Sequence, residues 1–201
     1  MTNNTKARGP WTVHKEHCVY ENKWMVLREY DVNLPNGDPG LYGVVEPKSI
    51  AIGVVPLFEN GDTLLVGQYR FALDAYSWEF PEGGGSKNVD PLVSARRELK
   101  EETGYTAQKW CHIAGFDVSN SITNERAELY VAWDLSAGST AREPSEFDMT
   151  CKRIPFRSVI KKVLSGEIRD SLTIILALTT IEKARSGAFF PKLNSIILST
   201  V

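Results

Sequence analysis

Three glutamates within five positions are the first residues in this chain that could do chemistry. Glu98, Glu101 and Glu102 lie in the stretch Pro91–Thr103, PLVSARRELKEET. If that stretch is helical, residues three and four apart share a face, about 5–6 Å between Cβ atoms. Three like charges at that spacing repel and add nothing to helix stability. A hard divalent cation explains them, because carboxylate oxygens are its preferred ligands. A run of glutamates also fits a solvated acidic face. What favours a metal is the company they keep: Gly83-Gly84-Gly85 stands just upstream, and glycines let a backbone approach an ion closely.

The helix that must carry these carboxylates has readable ends. Asp90 is a good N-cap, Pro91 suits the first helical position, and Gly104 supplies a left-handed stop. Leu92, Ala95 and Leu99 form its apolar stripe, leaving the glutamates on another part of the cylinder.

Together these residues resemble the Nudix box, G-x5-E-x7-R-E-U-x-E-E-x-G-U, where U is a bulky aliphatic residue. Gly83 opens it, and Arg97-Glu98-Leu99, Glu101-Glu102 and Gly104 fall on its fixed places. Tyr105 fills the last apolar place loosely, and Val89 stands where the pattern has its first glutamate. The resemblance implies metal binding by Glu98, Glu101 and Glu102, joined by the main-chain carbonyl of Glu82, with Mg2+ (or Mn2+) as the ion. Arg97 would hold a neighbouring carboxylate in place; an ordinary i,i+4 surface ion pair is the plainer alternative.

Outside the box, several places resemble the branch that hydrolyses ADP-ribose and nucleoside diphosphate sugars. Gln68-Tyr69-Arg70 is similar to a strand-end Gln-x-Arg, which implies that Arg70 meets the diphosphate, a role suited to its guanidinium fork. Trp78-Glu79-Phe80-Pro81 resembles the strand entering the box and brings Glu79 into the substrate set. Tyr20-Glu-Asn-Lys-Trp24 resembles an N-terminal strand whose aromatic stacks on the base, so Trp24 is either that platform or core packing. Thr123-Asn124-Glu125-Arg126 resembles a loop that places a glutamate, here Glu125, near the substrate. Glu143-Pro-Ser-Glu146-Phe-Asp148 lies where the branch carries its general base. Glu146 is the first candidate for that role, with Glu101 next among the catalytic carboxylates.

Composition is consistent with a small-molecule enzyme. The chain has 201 residues, 42% hydrophobic and 24% charged, with 23 basic and 25 acidic side chains giving a formal charge of −2. That balance argues against a sequence-independent grip on nucleic acid, which needs a basic surface. Cys18, Cys111 and Cys151 are odd in number and lack CxxC spacing, so neither a disulfide framework nor a zinc site is expected. A cytoplasmic setting follows as an expectation. The N-terminus lacks a signal-peptide core, and the apolar run 172–181 is too short to span a bilayer, so no membrane association is expected.

Periodicity and turn signals predict an α+β chain. Residues 1–48 form a small antiparallel β module, with 1–9 disordered and a turn at Leu34–Gly40. Residues 49–201 form the main domain, with an Asn60-Gly61 hairpin, helices near 157–165 and 171–186, and an extended apolar tail. The resemblance makes that domain a Nudix-type α/β/α sandwich. It also implies that the β module, too small to bury a core alone, is exchanged in a homodimer. The expected reaction is metal-dependent hydrolysis of the pyrophosphate bond of a nucleoside diphosphate sugar, such as ADP-ribose or GDP-mannose. The products are a nucleoside monophosphate and a sugar phosphate. A nucleotide-sugar sensor without turnover, and a Nudix enzyme acting on another nucleotide, are the alternatives.

Overall fold

The computed structural model describes residues 5–140 and 147–199, which fall into two compact units. The first holds residues up to 50 together with 117–126. Its sheet runs in order from β1 (Lys6–Arg8) through β2 (Trp11–Glu21) and β3 (Met25–Asn33) to β4 (Pro39–Pro47), all antiparallel. The predicted disorder of residues 1–9 is therefore corrected at Lys6–Arg8, which pairs with Trp11–Val13 as an edge strand. Val26, Tyr30 and Val32 bury one face of β3, as period-two alternation requires. The segment 117–126 lies on β4, where the Val45 N–H donates to the Ile122 carbonyl at 2.9 Å and Tyr42 Oη to the Ser121 carbonyl at 2.6 Å.

The second unit carries a seven-stranded sheet. Its path is β11 (Thr150–Pro155), β6 (Asp62–Arg70), β5 (Ser49–Leu57), β10 (Arg126–Ala137), β9 (Tyr105–Asp117). The short β7 (Ala75–Glu79) pairs with β6, and β8 (Glu82–Ser86) with β5. Strand β10 runs parallel to β5, whereas β6 is antiparallel to β5, to β7 and to β11. Asn36-Gly37-Asp38 and Asn60-Gly61-Asp62 are built alike. In each the glycine has a positive φ (93° and 81°), and the asparagine oxygen accepts the aspartate N–H at 3.1 and 3.2 Å.

Alternation along the central strands sorts the helices into two layers. Val55, Leu57, Leu65, Leu129 and Val131 join one buried cluster with α2 (Phe156–Leu164), α3 (Ser171–Arg185) and α4 (Pro191–Leu198). Ile52 points the other way, toward Ser94 of α1 (Pro91–Thr103), beside which Ala95 and Leu99 are fully buried. The result is the α/β/α sandwich expected. The tail is corrected: residues 191–198 are helical, with Pro191 in the first turn and Leu193 and Ile197 buried four residues apart. No helix among the described residues is long and apolar enough to cross a membrane.

Candidate active site

The site begins with the ends of α1. Asp90 accepts the Leu92 N–H at 2.9 Å, and the Gly104 N–H, at φ 77°, closes on the Lys100 carbonyl. That register turns Glu98 and Glu102 inward, 4% and 1% exposed, and leaves Arg97 at the rim. Carboxylates so buried are costly to charge unless other groups offset them. The backbone of Glu82 and Gly83 comes directly against both. The Glu82 N–H donates to Glu102 Oε2 at 3.0 Å. At Gly83 a Cβ would stand 2.6 Å from Glu98 Oε2 and closer still to Oε1. The glycine is thus what lets the main chain reach the carboxylate.

Arg97 ties the helix to the loop. Nη2 donates to Glu98 Oε1 at 2.6 Å and to the Gly84 carbonyl at 2.7 Å, while Nη1 donates to Glu101 Oε2 at 2.6 Å. The i,i+4 pair with Glu101 is present, yet it is one contact of three. Burial opposes the charge on Arg97, and Glu98 and Glu101 nonetheless raise its pKa.

A second cluster lies on the strand side. Arg70 donates to both oxygens of Glu79, which is 3% exposed, and its Nη2 lies 3.5 Å from Glu82 Oε1. Its hydrogen bonds to Glu79 raise the pKa of the guanidinium beyond its already high ordinary value. The carboxylates of Glu79, Glu82 and Asp170 each offer an oxygen within 4.8 Å of the others. Burial, then the charges of Asp170 and Glu79, push the Glu82 carboxyl well above the ordinary carboxylate range, with Arg70 opposing. Among the described residues, Glu82 Oε2 is buried without a hydrogen-bond partner. Asp170 also accepts the Thr173 N–H at 2.7 Å as the cap of α3, and Thr173 Oγ1 accepts the Phe80 N–H at 2.8 Å.

The structure therefore brings Glu82, Glu98, Glu101, Glu102 and Arg97 together around the glycine strand, with Arg70 and Glu79 beside Glu82. Two candidates belong to the first unit. Trp24 is 66% exposed, with Lys23 Nζ 4.3 Å from its ring centroid, so core packing is not its role there. Glu125 is half-buried in the 117–126 segment, its N–H donating to Thr123 Oγ1 at 3.1 Å. Glu146 lies outside the described residues. Val89 is 42% exposed beside the turn that its N–H makes with the Ser86 carbonyl. Asp170 is the residue sequence reading did not bring here. Its neighbours are set by tertiary packing.

The donor set suits a hard divalent cation: buried carboxylates at 98 and 102, a third at 101, and a main chain free of a side chain where it meets them. Comparison with known proteins agrees with this geometry. Residues 47–169 match the NUDIX domain, and residues 11–45 match the nucleoside diphosphate sugar hydrolase N-terminal domain. The ADP-ribose pyrophosphatase of Bacillus subtilis (strain 168) is 32% identical over 163 residues, covering 81% of this chain and 87% of the relative. The ADP-ribose pyrophosphatase of Mycobacterium tuberculosis (strain ATCC 25618 / H37Rv) is 32% identical over 150 residues, covering 74% and 72%. A solved ADP compounds hydrolase shares the fold at a TM-score of 0.79 and 17% identity, over 90% of this chain and 98% of that one. With the box on α1, the glycine strand against its carboxylates and both domains matched, this chain belongs to the Nudix hydrolase family, in its pyrophosphatase branch.

Proposed function

We propose that the protein hydrolyses the pyrophosphate bond of a nucleoside diphosphate sugar, with ADP-ribose the first candidate and NDP-hexoses such as GDP-mannose the second. The observation that carries this reading is the convergence of Glu98 and Glu102 on the Glu82–Gly83 backbone. The names of the relatives support the choice of ADP-ribose. Glu98, Glu102, Glu101 and the Glu82 carbonyl would hold Mg2+, or Mn2+ in its place. When bound, the cation supplies charge neutralisation for the diphosphate and a more acidic water. The remaining work falls to the chain. Arg97 fixes Glu98 and Glu101 against the loop. Arg70, whose Nη1 makes no hydrogen bond among the described residues, offers that edge to phosphate. Glu79, buried against Arg70, aims the guanidinium rather than touching substrate itself. Glu146 takes the proton of the attacking water, Trp24 stacks on the base, and Glu125 is a further substrate-binding residue.

We assign the working form as a homodimer through the N-terminal sheet and the setting as cytoplasmic, in keeping with three free cysteines. The deciding experiment is turnover with magnesium across ADP-ribose, GDP-mannose, other NDP-sugars, nucleoside triphosphates and capped RNA. Release of AMP and ribose 5-phosphate, abolished by EDTA, is the expected result. Tight binding of ADP-ribose without turnover would establish the sensor alternative instead.

A further inference from the structure

The outer flank of α1 carries a second feature that the hydrolytic site does not use. Arg96 and Lys100 stand four residues apart on the exposed side of the helix, and neither has a carboxylate partner among the described residues. Like charges at that spacing repel, so the pair costs helix stability where it stands alone. Lys100 in the last turn suits the helix dipole, but Arg96 does not share that explanation. Facing them across a groove of about 470 Å³ is Trp110 of β9, with Thr106 and Ala107 alongside.

Trp110 is a fixed plate. Its Nε1–H donates to the Ala107 carbonyl at 3.0 Å, and its ring meets Tyr130 edge-on at 6.4 Å and 74°. The Arg96 guanidinium lies 5.9 Å from its centroid. A half-buried aromatic face beside two cations that lack carboxylate partners among the described residues, one of them already over the ring, is complementary to a flat ring tethered to a phosphate. The ring stacks on indole, and the phosphate takes the charge-assisted bonds that Arg and Lys offer. The groove's volume falls within the range of small-ligand sites.

We propose that the groove between α1 and β9 is a binding site for a phosphate that carries an aromatic ring, specifically a nucleoside 5′-monophosphate, adjoining the carboxylate cluster through Arg97 and Glu101. The choice of a nucleoside rests on the hydrolytic reading above; the choice of an aryl phosphate rests on the groove alone. Arg97 and Glu101 form the wall that the groove shares with the cluster. An occupant would lie against Arg97 and Glu101 and so adjoin the site already described.

The test is calorimetric titration in EDTA, so that no metal-dependent binding contributes, with AMP, phenyl phosphate, inorganic phosphate and adenosine as probes. Wild-type protein should bind AMP at one site and adenosine at least tenfold more weakly. Lys100→Glu should weaken AMP at least tenfold while melting temperature and the magnesium-dependent rate at low AMP stay unchanged. Trp110→Ser, in turn, should weaken AMP more than inorganic phosphate. AMP affinity unmoved by Lys100→Glu, or no binding of either AMP or phenyl phosphate, overturns the proposal. Phenyl phosphate binding as tightly as AMP overturns the nucleoside assignment and leaves an aryl phosphate site. Binding that persists in a protein inactive on every nucleotide sugar upholds the groove while the hydrolytic reading fails.

Discussion

Gly83 and Glu98 are packed so that the glycine's missing side chain is the space the carboxylate fills. Gly83→Ala therefore displaces the Glu98 carboxyl or the strand itself, since a Cβ there has no free volume. Overpacking of this kind costs about 1–3 kcal/mol. The expected outcome is a modest drop in melting temperature with a far larger loss of magnesium affinity. Normal magnesium affinity in a folded Gly83→Ala protein would show that the main chain does not need to approach there.

Glu102→Gln keeps side-chain volume and removes charge from a carboxylate that is 1% exposed. Its amide oxygen can still accept the Glu82 N–H, so the fold should persist. Turnover at saturating ADP-ribose should fall on the order of 100-fold or more, because even partners of metal ligands contribute roughly 10–100-fold. Magnesium titration alongside steady-state rates checks it, and an unchanged rate at high magnesium would refute the proposed cation site.

The raised Glu82 carboxyl predicts a pH signature in metal-free protein. Its folded value lies above the ordinary 4.5, so the folded chain holds a proton that the unfolded chain releases. Stability from this group is complete below about pH 4.5 and is lost as pH rises toward the folded value. Glu82→Gln mimics the neutral form and retains the backbone carbonyl. Its melting temperature relative to wild type, measured in EDTA, should climb with pH across that window. A difference that stays flat with pH, or falls, would mean Glu82 is charged in the fold.

For the general base, Glu146→Gln should slow single turnover by roughly 10²–10⁴-fold with little change in magnesium or substrate affinity. Running Asp148→Asn in parallel tells the two loop acids apart. If neither slows, Glu101 and Glu125 become the next residues to test.

Local signals carried the catalytic helix. Asp90, Pro91 and Gly104 mark its ends by mechanisms that operate within a few residues, and the two Asn-Gly-Asp turns are equally local. The features that escaped are non-local. Strand β8 is mostly glycine and has no propensity for sheet, so only its pairing with β5 makes it one. Residues 191–198 looked extended because Pro191 reads as a breaker, although a proline in the first turn is equally a helix start. Asp170 caps α3, but nothing near it in sequence announces Glu79 and Glu82 as its neighbours. The 117–126 segment likewise meets Tyr42 and Val45 only through the fold.

The bond from the Phe80 amide to the Thr173 hydroxyl joins residues 93 positions apart. Strand β7 and the glycine strand flank Phe80, so the approach to the carboxylates is held in part by α3, well downstream of α1 in the chain. Contacts of such long range form late, after the loop-closure entropy between them has been met. The glutamates of α1 and the strand that meets them both precede Thr173 in the chain, and β8 is also held by its pairing with β5. The matched NUDIX segment ends at residue 169, short of Thr173. A chain cut after residue 169 would therefore keep the whole matched segment and lose the Thr173 hydroxyl that holds Phe80.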